Sequence, residues 1–207
     1  MNTQLYIAIE GLEGLSHIPE FTPKVEKALV QALNRTADRG RTSADKRIRE
    51  QVNFPASYLR PSQGRLKVIQ RAGKGHFEAR IRGRDRTTSL ARFSRQKYLG
   101  GGNRRHAGGG VRVSVKKGGP QRMIQRAFIM KLRNNNLGLA VRTDGSKPKG
   151  AFKPKEIGKG LWLLYGPSID QVLSAATDGD GVVEEMTPET LEFLESEFER
   201  NLQRMGL

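Results

Sequence analysis

The stretch from residue 79 to residue 115, ARIRGRDRTTSLARFSRQKYLGGGNRRHAGGGVRVSV, limits the fold more than any other part of the chain. It opens in alternation, with Ala79 and Ile81 set against Arg80 and Arg82. It closes the same way, with Val111, Val113 and Val115 set against Arg112, Ser114 and Lys116. A period of two puts the apolar residues on one strand face and the basic ones on the other. Between these runs two glycine triplets flank Asn103, Arg104, Arg105 and His106. Six glycines in the eleven residues 100–110 favour a mobile loop over a helix, because glycine gives up the most backbone freedom on ordering. The expectation is a strand scaffold that presents a basic loop.

Charge sharpens this expectation. The 207 residues carry a formal net charge of +16, and its placement says more than its size. Residues 1–34 hold 2 basic and 4 acidic side chains, 35–133 hold 27 and 5, and 134–207 hold 8 and 12, for nets of −2, +22 and −4. A solvated face mixes both signs, so a block of one sign points to an acidic or polyanionic partner. The expected contacts to DNA or to an acidic partner are Arg80, Arg82, Arg84, Arg86, Arg92, Arg95, Lys97, Arg104, Arg105, Arg112, Lys116 and Lys117. Phe77 and Phe93 fall on apolar faces, which leaves Tyr98 as the one ring expected to be exposed beside the loop. Base stacking is therefore a weak mode here, and contact with phosphates, blind to sequence, is the expected one.

Read in order, residues 3–10 alternate as a half-buried strand. Thr22 and Pro23 then open a helix, threonine as cap and proline at the first helical position. Val25, Leu29, Leu33, Ala37, Ala44 and Ile48 carry its stripe to about residue 51, with Gly40 as a kink or close-packing point. Phe54, Tyr58 and Leu59 read as a helical corner packed on a sheet. The second helix is too short for a major groove, which argues against a helix-turn-helix. Residues 66–68 and 77–81 form a hairpin turning at Gly73 and Gly75, with 111–115 as a third strand of the same meander. Leu90 and Phe93 dip into the core. Residues 123–130 are apolar without a clear period, 137–141 and 161–165 read as strands, and 147–159 as a lysine-rich loop. A short helix covers 168–176. After a flexible break at 178–181, Thr187 and Pro188 open an acidic helix with Leu191, Leu194, Phe198 and Leu202 on one face. The fold class is α+β: a long N-terminal helix packed on a mainly antiparallel sheet, a Gly/Arg-rich loop and a C-terminal amphipathic helix. It divides into a single domain over 1–177 and the acidic helix over 178–207. Leu191, Leu194 and Phe198 are the expected contacts between subunits.

The residues argue against an enzyme. With no cysteine, thiolate nucleophiles and cysteine zinc sites are excluded. His17, His76 and His106 lack the paired spacing of metal ligands. The glycines do not match a phosphate-binding loop ahead of a helix. A nuclease would have to build its metal site within the basic block from Asp38, Asp45, Glu50, Glu78 and Asp85. No catalytic group, cofactor or metal is expected. The chain starts without a basic leader and has no apolar run near the roughly 18 residues of a membrane span. A soluble protein made in the cytoplasm, with no membrane partner, is expected.

Four runs in order, ALNRTADRGRTSADKRIREQVNFPASYL, RTTSLARF, GGGVRVSVKKG with AFIMKL behind it, and LLYGPSIDQVL, resemble the prophage minor tail protein Z family over about residues 28–172. The resemblance implies a tail completion protein: a structural virion component at the head-proximal end of the phage tail, the neck, acting in tail completion and joining. It implies partners among the tail terminator, tube or connector proteins, and a homo-oligomeric ring, a hexamer to match a six-fold tube. Non-specific contact with packaged DNA fits the charge. The resemblance supplies no catalytic residues, and the acidic tail 178–207 lies outside it. The alternative class is a non-specific architectural protein that binds nucleic acid.

Overall fold

The computed structural model of the protein describes residues 22–98, 109–150, 153–174 and 181–207, together with the backbone of residues 4–8. The fold is α+β, with every strand pairing antiparallel. It divides into two compact units. Unit 1 comprises Met1–Ile48, Leu59–Asp85 and Ile169–Leu207, and unit 2 comprises Arg49–Tyr58 and Arg86–Ser168.

Unit 1 is built on helix α1 (Pro23–Gln51), whose bounds match the sequence expectation. The Thr22 hydroxyl accepts from Val25 N at 3.4 Å, as the cap requires. Val25, Ala28, Leu29, Ala32, Leu33, Ala37, Ala44 and Ile48 are buried along one stripe. Full burial of each of its leucines contributes about 1.5–3 kcal/mol. The helix runs unbroken through Gly40, which is buried. The sheet of this unit has the order β1-β3-β2, from β1 (Gln4–Ala8), β2 (Leu66–Gln70) and β3 (Glu78–Gly83). Helix α2 (Ile169–Leu173) packs against the end of β3, where a Cβ on Gly83 would lie 2.6 Å from Leu173 Cδ1 and 3.0 Å from Asp170 N.

Helix α3 (Val182–Arg204) belongs to this unit and lies antiparallel to α1. Lys24 Nζ donates to Met205 O at 3.4 Å at one end of the pair, and Arg47 reaches Glu185 and Glu189 at the other. The helix starts six residues before the start read from the sequence, with Gly181 as cap and Val182 as first helical residue in place of Thr187 and Pro188. Val182 and Met186 are 0% and 1% exposed. Their burial outweighs the backbone hydrogen bond that Pro188 cannot donate.

Unit 2 holds a sheet of the order β4-β10-β8-β7, with β9 on the other edge of β10. Its strands are β4 (Thr88–Ser89), β7 (Ala127–Lys131), β8 (Leu137–Arg142), β9 (Lys153–Gly158) and β10 (Leu161–Gly166). A separate ribbon pairs β5 (Gly110–Val113) with β6 (Arg122–Gln125). The third strand of the expected meander is therefore in this ribbon and not beside β3. The reason is that β1 already holds the free edge of β3, in register from Gln4↔Arg82 to Ala8↔Glu78. The ambiguous run 123–130 is two strands broken at Arg126, whose φ is 57°. Part of the lysine-rich loop forms edge strand β9, where Lys153, Pro154 and Lys155 discourage further pairing. Leu90 and Phe93 are buried as expected. Phe54 stacks on Tyr58 at 5.4 Å and meets Phe93 at the same distance.

Candidate polyanion interface

The charge follows the two units more sharply than it follows the sequence blocks. Unit 2 contains 20 basic and 3 acidic residues, a net of +17, which leaves 17 and 18, a net of −1, for unit 1. Unit 1 neutralises itself through its helices. Arg35 Nε lies 3.2 Å from Glu197, Arg39 3.3 Å from Glu189, and Arg47 3.3 Å from Glu185 and 3.1 Å from Glu189. The Arg39 guanidinium also covers the Phe193 ring at 4.2 Å. Hydrogen bonds from Arg47 and then Arg39 hold the Glu189 carboxyl below its usual range. Arg71 pairs with Asp38 at 2.7 Å, and Arg80 with Glu78, whose carboxyl is likewise depressed by the Arg80 hydrogen bond.

In unit 2, by contrast, no described Lys or Arg side chain from Arg86 to Lys159 forms an ion pair. All three of its acids, Glu50, Asp144 and Glu156, have partners. Asp144 accepts from Ser146 Oγ at 2.8 Å, a bond that lowers its pKa, and Glu156 accepts from Gly160 N at 3.1 Å.

The expected contact residues therefore fall into three groups. Arg80, Arg82 and Arg84 are in unit 1, where Arg80 is paired, Arg82 exposed and Arg84 half-buried. Arg86, Arg92, Arg95, Lys97, Arg112, Lys116 and Lys117 are in unit 2, and all are exposed. Arg104 and Arg105, with most of the glycine-rich loop, lie outside the described residues. Leu194 and Phe198 are buried in unit 1 at 6% and 7% exposure, whereas Leu191 is 56% exposed on the outer side of α3.

Three of the unit 2 arginines, Arg92, Arg95 and Arg112, line one open crevice of roughly 530 Å³. Each is set by a different local device. Arg92 is on a 3-10 turn (Leu90–Phe93) capped by Ser89, whose hydroxyl accepts from Ala91 N at 3.3 Å. The buried side chains around it fix the turn, and its guanidinium covers Tyr58 at 4.4 Å. Arg112 projects from β5 because Val111 and Val113 are buried on the opposite face. The free edge of β5 is covered by a side chain acting as a strand: Gln96 Oε1 accepts from Arg112 N at 2.7 Å, and Gln96 Nε2 donates to Gly110 O at 3.5 Å. Arg95 sits between Ser94 and Gln96, which are joined by Gln96 N donating to Ser94 Oγ at 3.1 Å. Asn53 closes the far side, its Nδ2 donating to Ser114 O, Ser114 Oγ and Lys116 O at 3.0–3.1 Å. Sequence alternation pointed to Arg112. Nothing in the sequence marks Gln96 or Asn53, whose partners are 16 and 61 residues away.

The second glycine triplet also has a structural basis at its described end. Gly109 has a φ of +72°, and a Cβ on Gly110 would lie 2.4 Å from Ile124 O. These two glycines let β5 approach β6.

The arrangement offers donors and fixed positive charge. Among the described residues, no group of histidine or acidic side chains is placed to hold a metal ion, and no helix is long and apolar enough to cross a membrane. The model of the prophage minor tail protein Z family matches residues 5–205. The chain belongs to that family. The match runs past the four motifs that carry the resemblance and takes in α3, so the acidic C-terminal helix lies within the family region. As a minor tail protein the chain is a structural component of the phage tail and of the virion, working among other tail proteins. No curated protein and no solved structure matches it.

Proposed function

We propose that this minor tail protein completes the head-proximal end of the tail and takes part in joining it to the head, with no catalytic activity, as a closed homo-oligomeric ring whose unit 2 faces the packaged DNA. The observation that carries this reading is the segregation of charge: +17 in unit 2, with no ion pair on the described Lys and Arg side chains from Arg86 to Lys159, against −1 in unit 1. Uncompensated charge of one sign attracts a polyanion, and a tail at the neck encloses one. Contacts between unlike surfaces close into rings when the rotation permits. The glutamates on the outer side of α3, Glu184, Glu192, Glu195 and Glu199, offer such a surface to the basic unit of a neighbour. Six copies would match a six-fold tube. The neighbours in the neck would be the terminator, tube or connector proteins.

Electron cryomicroscopy of intact virions tests the placement, with the expected result a ring of this chain between tube and head. Density for it at the distal tip, or in single copy, would overturn the reading. Binding of the isolated protein to duplex DNA, without sequence preference and falling linearly in log salt, tests the role of unit 2.

A further inference from the structure

We propose that the crevice lined by Arg92, Arg95 and Arg112 is a seat for the DNA phosphodiester backbone, the point at which unit 2 grips instead of merely attracting. This rests on the reading that unit 2 faces DNA. Three arginines line one crevice, and among the described residues no carboxylate lines it. An anion seated among them would be met by positive charge that no neighbouring acid offsets. The neutral groups point the same way. Ser114 Oγ accepts from Asn53 Nδ2 at 3.0 Å, and Ser94 Oγ accepts from Gln96 N at 3.1 Å. Each hydroxyl has its inner lone pair engaged and its proton left to donate.

The crevice thus presents three arginine forks and two hydroxyl donors, which suits a ligand that only accepts. A DNA phosphodiester has no donor and takes arginine bidentately. The volume of roughly 530 Å³ exceeds what a single carboxylate requires and falls in the usual range for ligand clefts. The backbone beneath is fixed by the capped turn, by Ser114 N donating to Phe93 O at 3.0 Å, and by Gln96 on the edge of β5. The backbone that carries the three arginines is therefore set before an anion binds.

The test measures duplex DNA affinity against salt for the full chain and three variants. R92A/R95A/R112A empties the crevice. R122A/K131A/R133A removes the same charge from exposed positions of unit 2 that do not line it. S114A keeps every charge. The crevice triple is expected to lower the slope of log affinity against log salt by about 2.7, the value for three lost phosphate contacts, and the control triple by less than about 1. S114A should lose on the order of tenfold in affinity at an unchanged slope. Melting curves verify that all three variants fold.

Equal losses of slope in the two triples would overturn the crevice while leaving the reading of unit 2 intact. Failure of the wild type to bind duplex at low salt would overturn both. Polyglutamate of matched charge that binds more tightly than duplex, and loses the same slope in the crevice triple, would reassign the site to an acidic polypeptide.

Discussion

Phe198 decides whether α3 is part of the folded unit or a surface held ready for another subunit. Its side chain is 7% exposed, on the face of α3 that meets α1, one residue from Glu197 and three from Asn201, whose Nδ2 donates to Ala28 O at 3.3 Å. Phe198→Ala removes a ring from a packed site that cannot fully close, at a cost of about 3–5 kcal/mol. In a chain of this size each kcal/mol lowers the melting midpoint by about 2–4 °C, so a fall of about 6–20 °C is expected. Leu191→Ala, at a side chain 56% exposed on the opposite side, should stay within about 0.5 kcal/mol. Circular dichroism at two protein concentrations is the right assay. The single tryptophan, Trp162, is in unit 2 and would report the other half of the chain. If Phe198→Ala melts with the wild type at both concentrations yet abolishes self-association, its partner is another copy and the packing argument fails.

Arg41 is 12% exposed, donates to the carbonyls of Leu59 and Leu66 and sits 3.6 Å from Asp45. Arg41→Ala should lower stability by about 3 kcal/mol, read as a shift in urea midpoint without a change in slope. Gly110→Ala forces a Cβ onto Ile124 O and should cost about 1–3 kcal/mol, with faster amide exchange confined to β5 and β6. Glu189 has a folded-state pKa below its unfolded value, so its contribution is fully present above about pH 4.5. It is lost as pH falls through the lower folded value. Exchange of the α3 amides should rise on acidification in the wild type and show less pH dependence in Glu189→Gln.

The parts of the fold that were legible in the sequence are those fixed locally. Thr22, Pro23 and the spacing of Val25, Leu29 and Leu33 define α1 within one stretch of chain, and the observed bounds agree. The partner of β5 was not legible. It depends on whether another strand already occupies β3, and β1 lies more than seventy residues before it. The start of α3 was misplaced for a related reason: Pro188 is a sound local signal, but burial of Val182 and Met186 decides the outcome. At the site, alternation identified Arg112, and charge identified Arg92 and Arg95. Their convergence depends on Gln96 and Asn53, two amides whose roles exist only once the ribbon forms.

The charge block of the sequence misstates what a partner meets, and this changes how a subunit joint must be tested. Of the +22 over residues 35–133, Arg35, Arg39 and Arg47 are answered within unit 1 by Glu185, Glu189 and Glu197. Deleting α3 would strip those arginines of their partners and uncover the apolar face of α1, so loss of assembly would report unfolding as readily as a missing joint. The outer glutamates separate the two effects. Glu184, Glu192, Glu195 and Glu199 are exposed and form no ion pair among the described residues, so changing all four to Gln should leave the melting midpoint within about 2 °C. If they meet the basic unit of the next subunit, the variant should self-associate more weakly at low salt and converge on the wild type as salt screens both. Sedimentation across a salt series reads this directly. Identical association of the two proteins at every salt concentration would remove α3 from the joint and leave the ring to be closed by another surface.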